Sequence, residues 1–262
     1  MLVGLPLLLL LLSTCGSVPA HDSAARIPSA ATTPTPKVQS PTTPGAEPKA
    51  SPAKSSAPVA APSPKVAVEL PVRIVLEPND YLHRNYCVEG AIAVLLSTWT
   101  TAIPSIDAIG AAANVVESYG TIGANAVRAI NSYLAQITGS SRYAYSGTHV
   151  TSLSVFQTAL EDNLSGLGRL SVAGHGSPVL VHVMTATLPG WGGYQAQHMI
   201  AVFGYNFAAG TPSGDTVTYA ESAGSVAGYN GPHVQTISLE ALWTAMQNYN
   251  ADITTDPVTV IS

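Results

Sequence analysis

Asn85-Tyr86-Cys87-Val88-Glu89-Gly90-Ala91-Ile92-Ala93-Val94-Leu95-Leu96 runs from a polar dipeptide, through a cysteine, into an apolar, alanine-rich segment. Alanine and leucine are the strongest helix formers, so the segment predicts a helix that opens at Cys87. A cysteine in a first helical turn faces unsatisfied N–H groups and the positive end of the macrodipole, and both favour thiolate over thiol. The chain has only two cysteines, and the other, Cys15, falls in an N-terminal apolar run. Once that run is removed, Cys87 is a lone thiol. Such a residue is a buried small hydrophobe, half of an intermolecular disulfide, or a reactive group. Its place at a helix start favours the last.

The N-terminal run, Leu5 through Leu12, is almost pure leucine. It is shorter than the roughly 20 apolar residues a bilayer span needs and fits the apolar core of a signal peptide, expected over residues 1–20. Two processing routes are open. Val18-Pro19-Ala20 ends in a small residue and offers cleavage before His21, whereas Leu12-Ser13-Thr14-Cys15 resembles a lipobox. Both place the protein outside a bacterial-type cytoplasmic membrane, secreted or at the cell surface. Membrane attachment is expected only if Cys15 is lipidated.

Residues 21–70 carry about half of the chain's 20 prolines, in runs such as Thr33-Pro34-Thr35-Pro36 and Ala61-Pro62-Ser63-Pro64. Without aromatics and with few large aliphatics, this stretch cannot bury enough surface to fold, and an extended, polyproline-II-rich linker is expected. Residues 71–262 change in composition and suffice for one domain with its own core. Only 10% of the 262 residues are charged and the net charge is −5, with no Lys/Arg cluster, which argues against a nucleic-acid partner.

Within the domain, periodicity and caps predict a short strand over 72–76, then helices over 87–99, 105–117, 124–137 and 152–163. Strands are expected over 178–184, 198–207, 216–221 and 258–261, with a late helix over 239–247. Helices first and strands later predict an α+β fold, its N-terminal helices packed on an antiparallel sheet.

A cysteine nucleophile needs a base and a group that orients the base. Of the histidines, His21 lies in the linker, His83 in the loop before Cys87, and His149 and His175 in loops. His182 sits mid-strand and His233 follows a Gly-Pro turn. His198 follows the loop Gly190-Trp191-Gly192-Gly193-Tyr194 and opens the apolar run Met199-Ile200-Ala201-Val202-Phe203, so it stands at a strand mouth beside a Gly-rich loop. With a hairpin centred near residues 209–210, His198 pairs near residue 221. Glu221 is then the orienting acid, and Asp215 lies roughly 20 Å down the strand.

Asn85-Tyr86-Cys87, then His198-Met199-Ile200-Ala201-Val202-Phe203-Gly204-Tyr205, then Tyr219-Ala220-Glu221 together resemble the C39-like papain-fold cysteine peptidases. The resemblance spans most of the domain and keeps the family's order, cysteine before histidine before acid. It implies a papain-like fold and hydrolysis of peptide amide bonds without a cofactor, on a peptide or protein substrate. Cys87 would attack the carbonyl, His198 shuttle the proton and Glu221 hold the imidazole. Three positions depart from the family. Cys87-Val88-Glu89 replaces Cys-Gly-Pro, Glu221-Ser222 replaces Asp-Pro, and Tyr81 stands where a Gln six residues before the cysteine would donate to the oxyanion. Tyr81 or Asn79 are the substitutes the sequence offers. A transglutaminase or amidase using the same triad, and an inactive papain-like surface binding module, are the alternatives. Trp191 and Tyr194 are candidates to line a substrate groove. The chain contains no cysteine pair and no His-Glu-x-x-His, so no metal is expected.

Overall fold

The computed structural model describes residues 66–167, 175–252 and 256–262. The leader, with Cys15, and nearly all of the proline-rich segment, with His21, lie outside the described residues. Among the described residues seven strands form one antiparallel sheet: β1 (Ala67–Glu69), β2 (Gly147–Thr148), β3 (Val179–Met184), β4 (Gln197–Asn206), β5 (Thr216–Ala220), β6 (Val234–Ser238) and β7 (Val260–Ile261). Five α-helices among the described residues accompany it: α1 (Cys87–Leu96), α2 (Ile106–Ala113), α3 (Gly123–Thr138), α4 (Leu153–Leu164) and α5 (Leu239–Asp252). The architecture is α+β, and among the described residues no helix is long and apolar enough to cross a membrane.

The sheet runs β2-β7-β3-β4-β5-β6, and β4 is its spine. One edge of β4 pairs with β5, and the other pairs with β3 only as far as Val202. Beyond that point β1 takes over, Ala67 opposite Asn206 and Glu69 opposite Gly204. The three-residue β1 thus satisfies backbone groups that β3 leaves unpaired. This places a strand inside the stretch expected as linker, while the strand expected over 72–76 is irregular chain. The local β propensity of Val72–Leu76 finds no free sheet edge there, whereas Ala67–Glu69 does.

Helices cover both faces of the sheet. Ile92, Leu95 and Leu96 of α1, Ile109 of α2 and Ile130 and Leu134 of α3 meet Leu180, Met199, Ala201 and Phe203 on one face. Phe156 and Leu160 of α4 and Leu242 and Met246 of α5 meet Val181, Val183, Ile200, Val202 and Tyr219 on the other. Coverage on both sides explains why β3 and most of β4 are buried throughout and read as apolar runs rather than alternating ones.

α1 is the central helix, with every residue from Val88 to Leu96 buried. Apart from Glu89, whose Oε1 accepts from the Thr121 hydroxyl at 2.6 Å, its sequence is apolar on all sides and suits that place. It ends three residues earlier than expected because the chain tightens. Thr98 N–H bonds Leu95 O at 3.1 Å and Trp99 N–H bonds Leu96 O at 2.9 Å, both three residues back. The hydroxyls of Ser97 and Thr98 also donate to the last carbonyls, Val94 O at 2.6 Å and Leu95 O at 2.8 Å. α2 begins as the cap predicts, with Ser105 Oγ accepting from Ala108 N–H at 3.2 Å, but stops at Asn114 in the left-handed region (φ 51°) rather than at residue 117.

Gly90 lets α1 approach the end of β5. A Cβ built there would stand 2.4 Å from Ser222 Cβ, an overlap that backbone must move to relieve. Gly90→Ala is therefore expected to cost about 1–3 kcal/mol in chemical denaturation. Ser222→Gly in the same chain should restore much of that loss, a coupling that a double-mutant cycle measures.

Candidate active site

Cys87 is the first residue of α1 and half-buried, and the loop before it is pinned on both sides. His83 bridges two carboxylates, Nδ1 to Asp80 Oδ1 at 2.8 Å and Nε2 to Asp107 Oδ1 of α2 at 2.9 Å. Those hydrogen bonds, Asp107 foremost, raise the His83 pKa above the ordinary imidazole value, and the bond to His83 lowers that of Asp80. The His83 ring also meets Tyr86 edge-on at 4.7 Å. Asn85 Nδ2 donates to Glu117 O at 2.6 Å, and Gly120 (φ 84°) passes so close to Asn85 O that a Cβ there would lie 2.7 Å from it. The residues before the cysteine are thus tied to α2 and to the turn that follows it.

His198 and Glu221 come from the sheet. His198 is the second residue of β4 and Glu221 directly follows β5. The imidazole Nε2 lies 2.6 Å from Glu221 Oε1, with His198 4% and Glu221 0% exposed. Two further donors complete the carboxylate. Ala223 N–H bonds Oε1 at 3.0 Å and the Trp191 indole N–H bonds Oε2 at 3.2 Å. A buried carboxylate with three donors is satisfied without solvent. Its backbone is braced as well: Glu221 N–H bonds His233 O at 2.9 Å, and His233 Nδ1 lies 3.0 Å from Glu221 O.

The register that joins this pair differs from the expected one. Ala201 pairs with Ala220 and Val202 with Tyr219, but a bulge then shifts the ladder so that Gly204 pairs with Thr218. Extended to the strand mouth, the ladder sets residue 221 beside residue 200, so Glu221 reaches His198 diagonally across the same face rather than directly. Asp215 lies at the other end of the hairpin. Its Oδ1 accepts from Gly210 N–H at 2.9 Å and its carbonyl from Leu239 N–H at 2.9 Å, which makes it a turn residue.

One pocket collects these groups. Cys87 and His198 line it together with Glu77, Arg84, Trp191 and Tyr194. With Nε2 engaged by Glu221, proton exchange with the pocket falls to Nδ1 of His198. Among the described residues His198 is the histidine in this pocket. His149 Nδ1 faces Pro257 O at 3.1 Å, His175 packs on Trp99 with ring centroids 4.4 Å apart, and His182 stacks on Tyr249 at 4.6 Å.

Several residues take roles the sequence did not signal. Trp191 does more than line the pocket. It is 3% exposed, meets His198 edge-on at 4.9 Å and holds Glu221, so it covers and positions the dyad. Tyr194 is the exposed aromatic of that loop, stacked on Trp191 at 6.3 Å. Asn79 is used elsewhere: its Oδ1 accepts from Val226 N–H at 2.9 Å and its Nδ2 donates to Ser225 Oγ at 3.1 Å. Tyr81 stands at the pocket mouth, 67% exposed, with the Arg84 guanidinium 3.7 Å above its ring. The buried acid of the pocket is Glu77. A lone Glu before a Pro carries no sequence signal of burial.

Compared with known proteins, the chain matches no family model and has no significant match among curated proteins.

Proposed function

We propose that this chain is an exported cysteine peptidase of the C39-like papain-fold group that hydrolyses peptide amide bonds. The observation that carries the reading is the meeting of a helix-start cysteine with His198 in one pocket, His198 being held by the buried Glu221 at 2.6 Å. Glu221 accepts the Nε2 proton of His198 and leaves Nδ1 to take the thiol proton, giving a thiolate–imidazolium pair. The thiolate attacks a substrate carbonyl carbon, the oxyanion collapses, and the amine leaves with the proton from His198. Water, deprotonated by the same imidazole, then hydrolyses the thioester. Arg84, whose buried Nη1 has no hydrogen-bond partner among the described residues, and the exposed Tyr81 and Tyr194 line the approach and suit an extended peptide. Export, and lipid attachment if Cys15 is modified, rest on the leader sequence.

The reading is tested by the pH dependence of Cys87 alkylation with iodoacetamide in the full chain, read at Cys87 by peptide mass. A thiolate–imidazolium pair keeps the rate at pH 6 close to that at pH 8, and His198→Ala removes this advantage. An ordinary thiol of pKa near 8.5 slows by about two orders of magnitude over the same interval. That outcome, or labelling only in denaturant, would move the protein to the binding-module reading.

A further inference from the structure

Glu77 is the acid of the pocket, and the proposed chemistry leaves it unused. It is 4% exposed, and neither Oε1 nor Oε2 has a hydrogen-bond partner among the described residues. Its backbone is anchored, Glu77 N–H bonding Ser222 O at 3.1 Å, so the side chain is carried by the segment that follows Glu221. The Tyr86 N–H bonds His83 O at 3.0 Å and acts on Glu77 only to lower its pKa, the smallest of the influences on it. A dry, unpaired carboxylate is costly, whereas the neutral acid carries one O–H donor and costs less. The groups around it argue the same way. Glu221 behind β5 and Glu89 of α1 are acids, and the Cys87 thiolate of the working site would be a third negative charge. His198 of β4 is already claimed by Glu221, and Arg84 and Tyr81 of the preceding loop make no ion pair with Glu77. Burial first, then Glu221 and Glu89, hold the Glu77 pKa well above the carboxylate range.

We propose that Glu77, as a neutral carboxylic acid, is the side-chain donor to the oxyanion formed when Cys87 attacks a carbonyl. This rests on the peptidase reading above and assigns the side-chain donor to the buried acid of the pocket, since Asn79 is engaged by Val226 and Ser225 and Tyr81 stands exposed at the mouth. As the carbon–sulfur bond forms, the carbonyl π pair moves onto oxygen. The Glu77 O–H hydrogen-bonds that oxygen without giving up its proton, beside the positive end of α1. Collapse re-forms the C=O bond, expels the amine and returns Glu77 to its unpartnered state. The donor exists only below the Glu77 pKa, so acylation declines as pH rises through it.

Two reagents separate this step from thiolate formation. Acylation of Cys87 by p-nitrophenyl acetate passes through an oxyanion, whereas alkylation by iodoacetamide does not. In the full chain, Glu77→Ala is expected to slow acylation by about 10²–10³-fold relative to alkylation. Glu77→Gln, which keeps an N–H donor but cannot ionise, should retain acylation within about tenfold and abolish its decline at high pH. Infrared difference spectra of wild type against Glu77→Gln should show a protonated carboxyl at the pH where wild-type acylation is at its maximum. The proposal is overturned by unchanged acylation in Glu77→Ala, by equal losses in both reactions, or by an ionised Glu77 at that pH. A greater acylation loss in Arg84→Gln would move the donor to Arg84. Wild-type Cys87 inert to both reagents would sink the peptidase reading itself and this proposal with it. A reactive Cys87 with a silent Glu77 would sink only the latter.

Discussion

Cys87→Ala is expected to abolish peptide hydrolysis and acylation by p-nitrophenyl acetate while leaving the domain folded. No other thiol exists among the described residues, and no other nucleophile shares the pocket with His198 at a helix start. The stability cost should be small. Cys87 is only half-buried, and the helix it opens is held by Val88–Leu96, all buried and untouched by the change. Alanine is also the best helix former. The check is a peptide-cleavage assay paired with thermal unfolding. A variant with an unchanged Tm and no turnover fits the mechanism, whereas retained turnover would remove Cys87 from it.

Glu221→Gln should cost kcat about 10²–10⁴-fold, as expected when the partner that sets a catalytic tautomer is replaced by an amide. Glu221 Oε1 accepts from His198 Nε2–H and also from Ala223 N–H. A glutamine can present its NH₂ to Nε2 instead, which forces the proton onto Nδ1, the nitrogen that accepts from the thiol in the proposed mechanism. The Trp191 indole N–H and the Ala223 amide would then compete for the single remaining oxygen. Asp215→Asn makes the contrast, because Asp215 serves the β4–β5 turn. It should lower Tm by several degrees through a weakened turn hydrogen bond and leave kcat within about threefold. Equal kcat losses in the two variants would show that Glu221 does not set the tautomer of His198.

Much of this site is legible before folding, for local reasons. The apolar run after Asn85-Tyr86 announces a buried helix, and its first residue is Cys87. An apolar strand behind a Gly-rich loop marks His198 as a strand-mouth residue. Hairpin counting then selects Glu221 over Asp215, because the two lie at opposite ends of one strand and no single bulge exchanges them. The details that counting misses are the bulge between Val202 and Gly204 and the diagonal approach it produces. A bulge depends on how the strand bends against its neighbours, which a strand's own residues do not encode.

Covalently local physics therefore determined the helix start, the strand mouth and the acid at the hairpin's end, since each follows from backbone period and chain reach. Burial and long-range contact decided the rest. β1 forms because β4 outruns β3, the sheet is covered on both faces because α4 and α5 find the side opposite α1, and Trp191 becomes the cover of the His198–Glu221 pair. Glu77 is the clearest case. In the sequence it is one acid before a proline, and only the packed chain encloses it beside Cys87 and Glu221, where the cost of burying its charge sets its protonation state.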